Sequence, residues 1–438
     1  MSLLAVPALG PSRAARRPAS AERVLSSGLR VLAVRRAGVP LVELRLRIPF
    51  AGRAAVHRAR ASLLSSSMLL GTDQRTELEL AHALQEVGTE LSVSSDADRL
   101  LVGGVVLRAG LPALLDLLAE VLTAASYPSS LVEGERRRLI EHLRVARSQP
   151  DVIARVARAE RLFGAHPYGR VLPEQDEVAA QTATALRRLH RDRVQPGGST
   201  LVLVGDLSPA RTLDAVEASL SDWPAGAAPV SSAAVPPLVP GPLLLVDRAG
   251  SVQSSLRFGG RSCARTDPGY PAMQLANLVF GGYFSSRYVE NIREDKGYTY
   301  TPRSSIEHRQ VISSFYIGAD VATKVTAPAL LETRYELGRM ATLPVRQAEL
   351  DTARQYALGN LAMSTATQAG LASTLIGLAG PGLDLDWLAA YRRGLLEVTV
   401  EDVFEQSRTF LAPSGLTTVI VGDADAVRAD LATLGEVE

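Results

Sequence analysis

Thr200-Leu-Val-Leu-Val-Gly-Asp206 is an apolar heptapeptide that recurs, with conservative changes, as Thr417-Thr-Val-Ile-Val-Gly-Asp423. Both copies are short runs of β-branched and aliphatic residues ended by a glycine, which predicts a buried strand. Each copy follows a helix-like segment, residues 184–193 and 400–410, across a Pro-Gly-Gly or Pro-Ser-Gly turn. The same helix–turn–strand unit therefore occurs near the end of each half of the chain.

The members of a second pair of matching segments are separated by nearly the same number of residues as the two heptapeptides. Leu70-Gly71 and Gly88 in the first half match Phe280-Gly281 and Gly297 in the second. Two matches at nearly constant offset indicate an ancestral domain of about 200 residues that was duplicated. The length of 438 residues agrees with this reading, because it is enough for two or three domains.

The domain boundaries follow from composition. Residues 223–242 (WPAGAAPVSSAAVPPLVPGP) have neither helical nor strand periodicity and predict a linker. The linker separates an N-terminal domain, residues 24–222, from a C-terminal domain, residues 243–438. Residues 1–23 are rich in Arg, Ala, Pro and Ser and are interpreted as a disordered arm, with an organellar transit peptide as the alternative.

Each half is predicted to be an α+β domain. Residues 29–34 and 41–48 alternate like the two arms of a hairpin, and residues 100–107 predict a third strand. Apolar residues three and four apart then predict helices over residues 111–124, 131–148 and 152–163. Strands grouped apart from helices favour a mostly antiparallel sheet with helices on one face.

Composition excludes several functional classes. A net charge of +1 provides no field that would attract nucleic acid or an anionic membrane. The only lysines, Lys296 and Lys324, are outside any Gly-Lys-Ser/Thr sequence, which excludes a P-loop NTPase. One cysteine, Cys263, excludes an intrachain disulfide and a cysteine-rich metal site. No apolar run approaches the roughly 20 residues that span a bilayer, so we expect a bacterial cytoplasmic protein, or alternatively one of the mitochondrial matrix.

Three further motifs carry a family resemblance. They are His166-Pro-Tyr-Gly-Arg170, Gly282-Tyr-Phe-Ser-Ser-Arg287 and Ile292-Arg-Glu-Asp-Lys-Gly297. Together with the two Val-Gly-Asp strands, they make the chain similar to the pitrilysin/insulinase-like metallopeptidases, in particular to their processing-peptidase branch of paired subunits. The resemblance covers nearly all of the chain beyond the N-terminal arm. It implies a duplicated metallopeptidase-like fold.

Catalytic members of that family bind zinc through His-x-x-Glu-His and a more distant Glu. Alignment on Gly71-Thr72 places Ser62 and Ser66 at the histidine positions and Ser65 at the position of the catalytic base. A serine hydroxyl is a poor zinc ligand and is not basic at neutral pH. Glu141 stands where the distant Glu is expected, but without histidine partners we interpret it as a solvated helix residue. The chain is therefore predicted to bind no metal.

The resemblance also implies a role for Arg293 and Tyr300, which match an Arg/Tyr pair that reaches the zinc site of the partner half. Residues 286–296 predict a helix that ends at Gly297, and residues 298–300 are predicted to begin a strand. An arginine keeps its charge and a tyrosine hydroxyl is a neutral donor, so both suit a peptide carbonyl that gains negative charge. Phe284, Ser285 and Ser286 are candidate peptide contacts, although a helix start explains them equally well.

These observations predict the metal-free subunit of a heterodimeric zinc endopeptidase. It would be inactive alone and would provide Arg293 and Tyr300 to a homologous partner that carries His-x-x-Glu-His and zinc. The expected substrate is a peptide or unfolded polypeptide. Two alternatives stay open: a structural scaffold like the core subunits of the respiratory cytochrome bc complex, and a peptide binder without hydrolytic activity.

Overall fold

The computed structural model describes residues 17–438, which form two mostly antiparallel sheets with helices, as predicted for an α+β fold. The predictions for residues 1–16, which make up most of the predicted arm, lie outside the described residues. The first sheet consists of β1 Ser20–Val24, β2 Arg30–Arg35, β3 Leu41–Pro49, β4 Leu91–Ser95, β5 Arg99–Leu107 and β6 Thr200–Gly205, in the order β1-β2-β6-β3-β5-β4. The second consists of β7 Leu244–Asp247, β8 Gln253–Ser262, β9 Arg303–His308, β10 Ser313–Ala322 and β11 Thr417–Gly422, in the order β7-β11-β8-β10-β9.

The helices follow one another in the same order in both halves of the chain. In the first half they are α1 His57–Ser67, α2 Glu77–Glu86, α3 Leu111–Ala124, α4 Ser129–Ser148, α5 Pro150–Phe163, α6 Gln175–Ala179, α7 Ala183–Arg193 and α8 Pro209–Ser219. In the second they are α9 Tyr270–Asn277, α10 Arg287–Val289, α11 Thr326–Thr342, α12 Gln347–Ser364, α13 Gln368–Ala379, α14 Leu385–Glu397, α15 Val400–Phe410 and α16 Ala424–Ala432. The helices predicted over 111–124 and 400–410 have the observed boundaries.

The repeated heptapeptide forms β6 and β11, which occupy equivalent inner positions in their sheets. Each strand pairs in parallel with one neighbour, β2 or β7, and antiparallel with the other, β3 or β8. The glycine that ends each copy is required by close packing. A Cβ at Gly205 would lie 2.2 Å from the Leu41 carbonyl oxygen, and one at Gly422 would lie 2.5 Å from Ser254 Oγ.

The two halves exchange one helix each, which the sequence reading of helices on a single face did not anticipate. α13, from the second half, packs against β3 and β6 of the first sheet. Its residues Leu371, Leu375 and Ile376 form a buried cluster with Val202 and Val204. Conversely, α5 of the first half packs against β8 and β11 of the second sheet. Both sheets are therefore covered on their second face by the other half of the chain.

Two buried arginines form ion pairs with partly exposed carboxylates around the exchanged α5. Arg257 on β8, only 1% exposed, donates through Nη2 to Asp151 on α5 (3.0 Å) and to Asp320 on β10 (2.9 Å). Arg158 on α5 donates to Glu307 on β9 at 2.9 and 3.0 Å. These contacts attach the first half to the second sheet.

Two local predictions differ from the structure. β2 and β3 are not the arms of a hairpin, because β6 lies between them and pairs with both. Alternating polarity predicted the strands, but it carries no information on a partner that lies more than 150 residues away in the sequence. β1 begins at Ser20, inside the predicted arm, because it pairs with β2 along its whole length.

The segment predicted to be a linker runs along the surface of the first half. Residues 224–241 have no helix or strand, and Ser232 Oγ donates to Asp98 at 2.7 Å. At the start of this segment, the buried Trp223 belongs to the core of the first half and donates its indole N–H to the Val194 carbonyl (3.1 Å). Within residues 17–438, no helix is both long and apolar enough to cross a membrane.

Candidate functional site

The serines assigned to the family's zinc-site positions lie on α1, and two of them donate hydrogen bonds to carbonyls of the same helix. Ser65 Oγ donates to the Ser62 carbonyl (2.9 Å) and lies 3.3 Å from Ser95 Oγ on β4. Ser66 Oγ donates to the Leu63 carbonyl at 3.1 Å. Such back-bonding is the usual arrangement of serine in a helix. The hydroxyl protons of two of the three serines are therefore engaged in hydrogen bonds to backbone carbonyls.

Glu141 lies on the exposed side of α4 and pairs with Arg144 one turn further on (2.7 Å). Hydroxyl groups that donate to helix carbonyls and a solvated carboxylate do not make a zinc site, since zinc prefers imidazole, thiolate and carboxylate ligands. Across residues 17–438, no group of three or more His, Cys, Asp or Glu side chains is arranged to hold a metal ion. The residues present on α1 therefore do not fit zinc.

The segment that carries Arg293 begins with α10 and continues through a wider, π-type turn over Glu290–Asp295. Ile292 is buried and fixes the inner side of this turn. The helix ends at Gly297, whose φ of +63° favours glycine, and the Tyr298 amide returns to the Ile292 carbonyl (2.9 Å). The predicted stop at Gly297 is observed. The prediction that residues 298–300 begin a strand was wrong, because β9 starts only at Arg303.

Arg293 lies between two aromatic rings. Its guanidinium carbon is 4.1 Å from the centroid of the Phe284 ring and 4.9 Å from that of Tyr300. The two rings are 62% and 78% exposed, whereas the arginine side chain between them is only 23% exposed. Its Nε also pairs with the neighbouring Glu294 (3.0 Å). We call Phe284, Arg293 and Tyr300 the aromatic–arginine cluster.

The geometry of this cluster restricts the arginine while leaving the rings accessible. Stacking a guanidinium on a ring face stabilises an exposed pair by about 0.5–1 kcal/mol. Large aromatic side chains on a surface, next to an arginine, are typical of binding sites for polypeptides. The arrangement can therefore present a positioned cation and a phenol hydroxyl to a bound partner.

The adjacent serines have different environments. Ser285 is exposed beside Phe284, whereas Ser286 is 1% exposed and precedes α10. The Oγ of Ser286 has no hydrogen-bond partner within the described part of the chain. In this conformation its side chain is not available to a peptide, and it fits the role of a small residue at the start of a helix.

Arg287 anchors the segment to the domain. Its guanidinium donates to both carboxylate oxygens of Glu349 on α12, at 2.7 and 2.8 Å. Burial alone would raise the pKa of Glu349, but the hydrogen bonds from Arg287 and from the Arg346 backbone amide outweigh it and lower the pKa to about 2. This bidentate pair holds α10, and with it the turn that carries Arg293.

The Glu349 carboxylate is expected to make stability depend on pH. Its folded-state pKa of about 2 is below the ordinary value of 4.5, so its contribution is complete above pH 4.5 and is lost as the pH falls towards 2. The free energy of unfolding of the wild-type chain should exceed that of Glu349→Gln most above pH 4.5, and this difference should shrink on acidification. Urea unfolding of both proteins between pH 7 and pH 2.5 measures it. Glu141→Gln, at an exposed position, is the control, and a wild-type advantage over Glu349→Gln that is constant with pH would contradict the assignment.

The His166-Pro-Tyr-Gly-Arg170 motif forms a buried turn. His166 Nδ1 accepts from the Tyr168 amide (3.1 Å), so Nε2 carries the proton and donates to the Ala233 carbonyl (3.1 Å). The Tyr168 hydroxyl donates to Asp98 at 2.8 Å. The histidine therefore acts as a turn anchor.

Comparison with known proteins agrees with this picture. Residues 60–175 match the family described as Insulinase (Peptidase family M16), and residues 181–356 match the one described as Peptidase M16 inactive domain. The two matches together cover about two thirds of the chain. The chain belongs to the M16 peptidase family.

Some M16 relatives of this chain are named as zinc proteases and another as a probable inactive metalloprotease. The chain is 27% identical over 249 residues to an uncharacterized zinc protease of Streptomyces coelicolor, covering 54% of this chain and 53% of the relative. It is 24% identical over 229 residues to a probable inactive metalloprotease of Bacillus subtilis, covering 51% of this chain and 54% of the relative. The matched stretch therefore spans about half the length of either relative. The crystal structure of a peptidase M16 inactive domain from Pseudomonas fluorescens superposes with a TM-score of 0.84 at 22% identity, over 92% of this chain and 98% of that one, which shows the shared fold.

This M16 chain also contains a cleft that the sequence analysis missed. It has a volume of about 690 Å³ and lies between the two halves. Its polar lining is dominated by arginine, and we call it the arginine cleft; its arginines are Arg47, Arg58, Arg99, Arg170, Arg265 and Arg309. These residues are spread over more than 260 positions, so no local motif reveals that they meet. The only local signal is Arg170, which ends the His166–Arg170 motif.

Proposed function

We propose that this chain is the metal-free subunit of a heterodimeric zinc endopeptidase. The partner is a homologous chain that carries His-x-x-Glu-His and the zinc ion, and this chain contributes Arg293 and Tyr300 to peptide binding and transition-state stabilisation at that site. The proposal is carried by the aromatic–arginine cluster, which is accessible in a chain whose own zinc positions are serines. An arginine held between two exposed rings has no evident role in the core of this protein.

The residue types of the cluster suit the chemistry of peptide hydrolysis. The zinc site of the partner would supply an activated water, whose attack would place negative charge on the carbonyl oxygen of the peptide. Arg293 remains charged at any working pH and Tyr300 offers a neutral O–H donor, so both can stabilise that oxygen or hold the peptide backbone. Phe284 limits the positions available to the guanidinium, which reduces the reorganisation needed during the reaction.

Peptide binding is proposed to extend from the cluster along the second sheet. β9 begins three residues after Tyr300, and its outer edge has no strand neighbour among residues 17–438. An unpaired edge binds an extended peptide through backbone hydrogen bonds with little sequence selectivity. Phe284 of the cluster and the adjacent Ser285, both exposed, are the proposed side-chain contacts. The substrate class is thus an unfolded or extended polypeptide, and the proposed compartment is the bacterial cytoplasm.

Zinc content and peptidase activity test this proposal directly. We would measure both for this chain alone, for a homologue from the same genome that carries the zinc motif, and for an equimolar mixture. We expect no zinc and no hydrolysis with this chain alone, zinc in the homologue, and turnover that appears or rises strongly in the mixture. A matched mixture in which the homologue's catalytic Glu is replaced by Gln should form the complex without turnover.

Other results would lead to a different function. Stoichiometric zinc in this chain alone would contradict the metal-free assignment. A failure of mixing to increase turnover would remove the catalytic role. In that case, fluorescence anisotropy with a labelled unfolded peptide would distinguish a peptide binder from a scaffold that binds only other subunits.

A further inference from the structure

The arginine cleft is built by both halves of the chain. The first half contributes the β4–β5 turn around Asp98, Arg58 of α1 and the turn that contains Tyr168. The second half contributes the β9–β10 turn around Gln310 and the C-terminal end of α13. The volume of about 690 Å³ is within the usual range for a site that binds a small molecule.

The lining carries an excess of positive charge. It contains the six arginines named above but only three carboxylates, those of Asp96, Asp98 and Glu307. At neutral pH the cleft therefore has three more positive than negative side chains. The protein as a whole is almost neutral, so this excess is local.

The three carboxylates are already engaged. Asp96 pairs with Arg99 at 2.9 Å. Glu307 accepts both of its short hydrogen bonds from Arg158, which is not part of the lining. Asp98 accepts from neutral donors: the Tyr168 and Ser232 hydroxyls and the Gln310 backbone amide, at 2.7 to 3.0 Å.

Four arginines of the cleft consequently have no carboxylate within 4.0 Å in the described part of the chain; they are Arg47, Arg58, Arg265 and Arg309. Arg58 donates to the carbonyls of Ser95 (3.1 Å) and Val171 (3.4 Å), and Arg47 Nη2 donates to the Gln310 side-chain oxygen (2.6 Å). Neutral oxygens satisfy the hydrogen-bonding capacity of a guanidinium but do not neutralise its charge.

Arg47 is the least compensated member. It is only 6% exposed, and its Nε is buried without a hydrogen-bond partner among residues 17–438. Burial, together with the nearby charge of Arg99, lowers the pKa of Arg47, and burial also lowers the pKa of Arg58 and Arg309. Burial and the charge of Arg265 lower the pKa of His308, on the same lining, to about 3. Desolvation destabilises any charge, but the contributions of Arg99 to Arg47 and of Arg265 to His308 come from neighbouring positive charges, which a bound anion would offset.

We infer that the arginine cleft binds a small molecule that carries two or more phosphate or carboxylate groups. The planar guanidinium fork matches both groups with paired, charge-assisted hydrogen bonds. Because the arginines come from both halves, a ligand with two anionic groups can contact Arg47 or Arg58 on one side and Arg265 or Arg309 on the other. Binding would then connect the halves and stabilise the folded chain. This inference concerns the chain alone and does not depend on the proposed peptidase role.

Calorimetric titration and thermal melting of the full chain test the inference, with tripolyphosphate and citrate as the two probes. We expect one site per chain for at least one probe, and a rise of the melting temperature by a few degrees at saturation. Sodium chloride at matched ionic strength should not reproduce the rise. Binding of tripolyphosphate alone assigns a phosphate ligand, binding of citrate alone assigns a polycarboxylate, and absence of binding by both overturns the inference.

Variants locate the site. Arg265→Gln, at a half-buried position, is expected to weaken binding about tenfold or more, because a charge-assisted contact is lost. Arg47→Gln should have a similar effect and serves as the second variant. Arg137→Gln, an exposed arginine on α4 outside the cleft, is the control and should bind within twofold of wild type. If Arg265→Gln folds normally by circular dichroism and binds as tightly as the control, the site is not the arginine cleft.

Discussion

Replacing Arg293 with alanine should lower kcat/KM of the reconstituted two-chain peptidase about 100-fold. A fixed donor that stabilises a developing oxyanion typically accounts for a factor of about 100 to 1,000 in kcat. Loss of the guanidinium also removes the contact that joins the Phe284 and Tyr300 rings, which are 4.1 and 4.9 Å from it. Steady-state kinetics of the reconstituted pair with a quenched fluorescent peptide measure the effect.

A matched control is available in the same half. Arg408 on α15 is exposed and stacks over Phe404 at 5.6 Å, so Arg408→Ala removes a similar surface contact away from the cluster. It should leave kcat/KM within twofold of wild type. Tyr300→Phe keeps the ring and removes only the donor, and we expect a smaller loss, in kcat more than in KM. Normal turnover by both Arg293→Ala and Tyr300→Phe, with an intact complex on gel filtration, would eliminate the role proposed for the cluster.

The second large effect concerns stability and involves the exchanged helix α13. Leu375 is 2% exposed and packs with Val202, Val204 and Leu32 on the first sheet, although it belongs to the second half. Leu375→Ala is expected to lower the free energy of unfolding by about 2–5 kcal/mol, the usual range for truncating a buried leucine. Urea denaturation at pH 7 provides the measurement.

The location of the effect can be tested with tryptophan fluorescence. Trp223 lies in the core of the first half and Trp387 packs in the second. In a Trp387→Phe background, Trp223 reports only on the first half, and Leu375→Ala should shift its transition to lower urea. Leu396→Ala on α14, at a position 49% exposed, should change the free energy of unfolding by less than about 1 kcal/mol. An unchanged Trp223 transition in Leu375→Ala would show that α13 does not support the first sheet.

Local sequence signals predicted much of the fold. The helix over 111–124 and the strand over 41–48 follow from apolar periodicity, and the structure has them within one residue of the predicted ends. The duplication was visible because the buried strands β6 and β11 must be apolar and must end in glycine. The pairing of the strands and the packing of the helices could not be predicted from such local signals. The insertion of β6 between β2 and β3 and the exchange of α5 and α13 depend on contacts between distant segments.

The candidate site also combines features that the local sequence predicts with features that depend on contacts between distant segments. The stop at Gly297 could be predicted because only a glycine readily adopts that backbone conformation, whereas the π-type turn before it leaves no periodic signal. The assignment of Ser62, Ser65 and Ser66 to the zinc-site positions rests on the family pattern alone and stays a prediction. The stacking of Arg293 on Phe284 depends on how the π-type turn packs against the segment before α10, and the arginine cleft depends on the packing of both halves.

The helix exchange has a consequence for how this chain is made. Ribosomes add about 5–20 residues per second, so roughly ten to thirty seconds separate the synthesis of β6 from that of α13. During this interval the face of the first sheet formed by Leu32, Val34, Val202 and Val204 has no cover from its own half. Chaperones that act on nascent chains bind exposed aliphatic surfaces of this type. Without such chaperones, the exposed surface promotes aggregation. The first half of this protein is therefore expected to need protection at the ribosome until nearly the whole chain has been translated.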